Sequence, residues 1–225
     1  MNKKILGLAV AGALTLSANA QAVIITDSFT NAFETTEISQ TGSLVKFDSG
    51  LGTLDSVTLT MSGDSISSSI LQNTATNSQN FQFDSILNFF LDLSSVGVLA
   101  PNPAFTTSLA STGGFVSLAS GATLDLGTST DSGFWDITLT GAALAPFVGA
   151  GSFDVGCSTI SGTNFSGGGG NINNTQSTTA ACNGDISYEY TAAVVPPIVN
   201  VPEPAPLALM TFGLLAFAYS HRKAK

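Results

Sequence analysis

The central part of this chain predicts an all-β fold, an antiparallel β-sandwich of jelly-roll type, and three observations lead there. Helix formers are scarce in residues 23–200, where Thr, Ser, Gly, Asn, Val, Ile and Phe dominate. Turn-like clusters recur every eight to fifteen residues, the rhythm of short strands in a sandwich or barrel. Apolar side chains alternate with polar ones over several stretches, as they must where one face of a strand is buried and the other wet.

The chain opens with a targeting segment. Residues 1–22 read as a secretory signal: Lys3 and Lys4 form a charged start, residues 5–16 an apolar stretch of twelve, and a small-residue exit follows. Two overlapping A-x-A sites end at Ala20 and Ala22. Cleavage after Ala22 would let Val23-Ile24-Ile25 open the mature chain as strand; cleavage after Ala20 is the alternative. Either implies export, and residues 23–193 are expected to form the ectodomain.

Strands are expected at 23–29, 37–47, 54–61, 65–72, 81–93, 114–118, 134–139, 149–155 and 185–190. In "DSVTLTMSGD", Val57, Leu59 and Met61 face one way and Ser56, Thr58 and Thr60 the other, with Gly63-Asp64 expected as a turn. "FWDITLTGA" echoes this at Trp135, Ile137 and Leu139. In "FQFDSILNFFLDL", Phe81, Phe83, Leu87, Phe89, Leu91 and Leu93 share one parity. Phe83, Ile86, Leu87 and Phe90 also satisfy a helical stripe, but composition and neighbours favour a strand. Pro101-Asn102-Pro103 marks a crossing between sheets or a long loop, because proline cannot donate to a ladder.

Cys157 and Cys182 are the chain's two cysteines. In an exported protein the oxidising compartment favours a bridge over two free thiols or a metal pair. Metal ligation is further disfavoured because His221 is the single histidine. The enclosed segment, with Gly167 to Gly170 and many Ser, Thr and Asn, is expected to be a flexible loop.

At the other end, a proline-rich linker over 194–204 leads into an apolar run at 205–220 and a basic tail at 221–225. Apolar followed by basic is how a segment stops in a membrane, and Arg222, Lys223 and Lys225 supply the stop. Residues 205–219 would make about 22 Å of helix, short of a hydrocarbon core of roughly 30 Å. Snorkelling of the basic side chains and local thinning can absorb the mismatch. A short C-terminal transmembrane helix over 205–220 is therefore expected.

Val201-Pro202-Glu203-Pro204, the apolar run and then Arg222-Lys223 together resemble a PEP-CTERM sorting signal. The resemblance implies a Gram-negative, exopolysaccharide-making host and processing by exosortase, a membrane cysteine protease that acts near Pro-Glu-Pro. It also implies a transient membrane anchor before delivery to the cell surface or matrix. The prolines suit a protease groove because they hold the backbone extended without internal hydrogen bonds. A second stretch, "VKFDSGLGTLDSVTLTMSG", with "GAGSFDVGCSTISGTNFSGGGGN" and "GDISYEYTA", is similar to the choice-of-anchor E domain. That family implies an architecture and an export habit, and no catalytic residue.

Charge narrows the function classes. Residues 23–200 carry one basic residue, Lys46, against fourteen acidic ones, a formal charge of −13. Such a field repels phosphate backbones, so nucleic acid is not an expected partner. The carboxylates are spread from Asp27 to Glu189 without a calcium-loop motif, so a solvated acidic surface is expected and no metal site or cofactor is implied. An enzyme is not expected either, since His221 in the tail cannot serve a triad in the folded part. Two readings stand: a structural or adhesive component of an exopolysaccharide layer, and a carbohydrate-binding sandwich, calcium-assisted or not, using Trp135 or Tyr188 with loop carboxylates.

Overall fold

The computed structural model describes residues 22–193, and most of them are in strands. In chain order the strands are β1 (Ala22–Thr30), β2 (Glu34–Thr35), β3 (Ser39–Val45), β4 (Gly52–Asn73), β5 (Gln79–Asp92), β6 (Phe105–Ser111), β7 (Val116–Leu118), β8 (Thr123–Thr140), β9 (Ser152–Gly167) and β10 (Ile172–Ala192). They form two five-stranded sheets. One runs β1-β10-β4-β8 with β2 beside β10; the other runs β3-β9-β5-β6 with β7 beside β5. All the strand pairs are antiparallel.

The sheets face each other through one parity of side chains, and the core is layered along the strands. Near the chain ends it is apolar and aromatic: Phe47, Val57, Leu59, Met61, Phe147, Phe153, Ile186, Tyr188 and Tyr190. Phe147 meets Phe153 edge to face at 5.4 Å, the arrangement aromatic quadrupoles prefer. Farther along, Leu87, Phe89 and Leu109 surround the two cysteines. Leu71, Phe81 and Phe83 close the far end. Between these last two groups, Ser65, Ser67, Ser69, Ser85, Thr107 and Thr178 are buried, so the interior there is hydroxylic rather than apolar.

The alternation read from the sequence is present in the strands. Phe81, Phe83, Leu87 and Phe89 are fully buried on β5, whereas Ile86 is 40% exposed, which removes the helical alternative. The two echoing segments pair with each other: Val57 lies opposite Leu139, Leu59 opposite Ile137 and Met61 opposite Trp135.

Several expectations are corrected. Gly63-Asp64 is no turn; both residues lie within β4, which joins the two strands expected at 54–61 and 65–72. Gly63 is needed because a Cβ there would run into the ring of Phe89 from the opposite sheet. The segment between the cysteines is not a floppy loop but the ends of β9 and β10, because its Thr, Asn and Ile residues pair with β5 and β4. Only the link itself uses its glycines for conformation, with positive φ at Gly167, Gly168, Gly169 and Gly170. Pro101 and Pro103 sit in a long loop between β5 and β6, neighbours in one sheet, so no crossing occurs there. β6 was not anticipated; it opens at Phe105, just after this proline loop.

Candidate functional site

The processing residues Val201, Pro202, Glu203 and Pro204, the basic Arg222, Lys223 and Lys225, the expected span 205–220 and Ala20 all lie outside the described residues. Ala22 is the first residue of β1 and stands opposite Thr191. Among the described residues no helix is long and apolar enough to cross a membrane.

Cys157 and Cys182 form a disulfide, with Cα atoms 6.4 Å apart. Cys157 belongs to β9 and Cys182 to β10, so the bond ties one sheet to the other. A buried glutamine reinforces the tie. Where the chain leaves β1, the Cys182 amide donates to Gln40 Oε1 at 2.9 Å, and Gln40 Nε2 donates to the Ala32 carbonyl at 2.8 Å. One side chain from β3 thereby satisfies a backbone donor that the interrupted edge would leave unpaired.

Several of the carboxylates serve the backbone. Asp48, Asp92 and Asp125 accept from the amides two residues on, of Gly50, Ser94 and Gly127, the Asx-turn pattern. The Ser94 contacts hold the Asp92 carboxyl below the usual carboxylate range. Asp27 accepts from the Val45 amide and Asp131 from the Ser108 amide, both at 2.7 Å. These two bonds clasp β1 to β3 and β8 to β6, one at each side of the sandwich, and cover edge donors that would otherwise invite another strand.

Trp135 and Tyr188 do not form an outward sugar platform. Trp135 is half-buried against the aromatic core. Tyr188 is 2% exposed and donates its hydroxyl to the Val45 carbonyl at 2.6 Å. Burial, with Asp27 nearby, raises its pKa well above the ordinary phenol value. Both residues sit at inward positions of their strands, which places the rings in the core.

The described domain does contain a polar cleft, and its position follows from strand lengths. β3 covers β9 only as far as Ser158. β1 and β2 cover β10 only between Thr179 and Thr191. Beyond those limits β9 and β10 are both edge strands, one in each sheet, and the gap between them is lined by Thr35, Thr36, Ser161, Thr163, Asn174, Gln176, Ser177 and Thr178, with a volume of about 350 Å³.

On the inward side of β10 the lining is a relay of amides. Asn174 Nδ2 donates to Gln176 Oε1 at 3.1 Å, and Gln176 Nε2 donates to Thr178 Oγ1 at 3.0 Å. Thr178 Oγ1 in turn is hydrogen-bonded to Ser67 Oγ at 2.9 Å, and either hydroxyl can donate. On the opposite wall, Glu37 accepts from the Ser161 amide at 3.1 Å. Sequence reasoning passed over this cleft because "NNTQSTT" reads as loop material; its alternation of larger and smaller polar residues was the available signal.

Residues 200–223 match the PEP-CTERM protein-sorting motif. The match covers the proline-caged glutamate, the apolar run and the first basic residues, the order that the sequence alone suggested. No curated protein matches the chain. Among solved structures, infectious bursal disease virus Gx strain aligns at 9% identity over 81% of this chain and 43% of that one, with a TM-score of 0.18. The T13 viral particle of the same virus aligns at 8% identity over 82% and 44%, with a TM-score of 0.16. This chain therefore spans less than half of those chains, and alignments at such scores add nothing to the fold assignment.

Proposed function

We propose that this PEP-CTERM protein is a non-enzymatic component of the cell surface or extracellular matrix, structural or adhesive within an exopolysaccharide layer. Its ectodomain is a jelly roll of choice-of-anchor E type, held transiently in the membrane by residues 205–220 before exosortase releases it. The observation that carries the reading is the sorting motif at residues 200–223. The strand orders β1-β10-β4-β8 and β3-β9-β5-β6 support the jelly-roll assignment, because they distribute eight main strands over two sheets as nested Greek keys do. The disulfide between the sheets supports a life in an oxidising compartment.

Replacing Pro202 and Pro204 with alanine relaxes the extended segment that a protease groove would take. The expected outcome in a host with exosortase is a longer, membrane-bound form, read by fractionation and intact mass. Release and mass identical to wild type would refute the processing role of Pro202 and Pro204.

A carbohydrate-binding role is the second reading. Trp135 and Tyr188 no longer support it, since they serve the core; the cleft between β9 and β10 does.

A further inference from the structure

The cleft between β9 and β10 breaks the rule that the inner face of a sandwich is apolar, and it does so in an organised way. Asn174, Gln176 and Thr178 occupy successive inward positions of β10, where apolar side chains would pack the two sheets together. Three side-chain atoms in this region are sealed from solvent without a hydrogen-bond partner: Asn174 Oδ1, Ser69 Oγ and Ser85 Oγ. Strand register places all three at one locus. Ser69 stands opposite Gln176 and Ser85 opposite Thr163, and Gln176 and Thr163 line the two walls of the cleft. Ser69 is fully buried and Ser85 is 1% exposed. Unpaired buried polar groups are costly and rare; of these three residues Asn174 lines the cleft, while Ser69 and Ser85 lie behind it and make the interior there polar.

We infer that the cleft is a binding site for an uncharged polyhydroxylated ligand, a neutral sugar residue of a glycan. The chemistry of the walls selects that class. Amides and hydroxyls both donate and accept, which matches a ring of hydroxyl groups. Glu37 at the Ser161 wall and the absence of any basic residue from the lining disfavour a uronate, sulfate or phosphate. The volume of about 350 Å³ falls at the small end of ligand pockets, suited to one or two sugar rings. The inference deepens the surface-protein reading by naming a ligand class for it.

The test uses full-length protein in a detergent without a sugar headgroup, so that the micelle does not compete. Saturation-transfer NMR and calorimetry are run against glucose, galactose, mannose and N-acetylglucosamine and their short oligomers, with glucuronic acid as the charged control. At least one neutral sugar is expected to bind, with glucuronic acid at least tenfold weaker, and N174A and Q176A each weakening the neutral ligand at least tenfold. S69A and S85A serve as controls, because neither hydroxyl lines the cleft: removing an unpaired buried hydroxyl leaves the melting temperature unchanged or raised, and sugar affinity is expected to stay at the wild-type level. Absence of saturation transfer from every neutral sugar overturns the inference, as does binding that N174A and Q176A both leave intact or glucuronic acid binding as tightly as its neutral parent. The Pro202/Pro204 experiment reads processing and this one reads binding, so either can fail alone.

Discussion

Breaking the Cys157–Cys182 bond tests how much of the fold's stability rests on joining its sheets. The bond closes a loop with a sequence separation of 25. Chain-entropy loss in the unfolded state for a loop of that length corresponds to about 3.5 kcal/mol at 25 °C. Reduction of the wild-type protein is the cleaner perturbation, because both thiols stay in the cluster of Leu87, Phe89 and Leu109 and no cavity is opened. The protein is reduced in denaturant, refolded under reductant and compared with the oxidised form by denaturant and thermal unfolding. For a domain of this size, 3.5 kcal/mol corresponds to a fall in Tm of about 7–14 °C. The denaturant slope should rise, since the reduced unfolded chain exposes more surface. A fall of less than about 1 kcal/mol would refute the reasoning, showing that the β9–β10 link already confines the unfolded chain as tightly as the bond does.

The remaining predictions rest on single contacts. Y188F removes the donor to the Val45 carbonyl and should cost about 0.5–1.5 kcal/mol at neutral pH. The raised folded pKa of Tyr188 means that above about pH 10 the unfolded chain loses a proton that the folded chain keeps, so wild-type stability should fall with rising pH more steeply than that of Y188F. Parallel unfolding-midpoint curves between those two proteins would contradict this. G63A pushes a methyl group into the ring of Phe89 and should cost about 1–3 kcal/mol by overpacking. Phe89→Leu in the same chain should recover part of that cost, so strictly additive effects in the double-mutant cycle would argue against the contact.

Alternation made β5 and the β4–β8 pair legible, since a strand buried on one face writes its period into the residues themselves. The joining of two expected strands into β4 was hidden because Gly63-Asp64 has the composition of a turn, and only the ring of Phe89 across the core shows why glycine stands there. The cleft was hidden for a related reason. Asn174 and Gln176 look like loop residues until register places them on the inward face of β10. Nothing local to the sequence says that β3 covers β9 only as far as Ser158.

The sequence by itself determined the sorting motif and the all-β class, and it led to the expectation of export and of a bridge between two lone cysteines, because each depends on residue types at short range or on a count. Tertiary structure alone decided which sheets the disulfide joins, that Trp135 and Tyr188 serve the core, and that Asp27 and Asp131 clasp the sheet edges. These are contacts between residues 18, 23 and 25 positions apart in the chain or many more, such as the 143 between Tyr188 and Val45. The partner of a side chain at such distances is set by how strands of unequal length are threaded into two sheets, and a linear pattern carries no record of that threading.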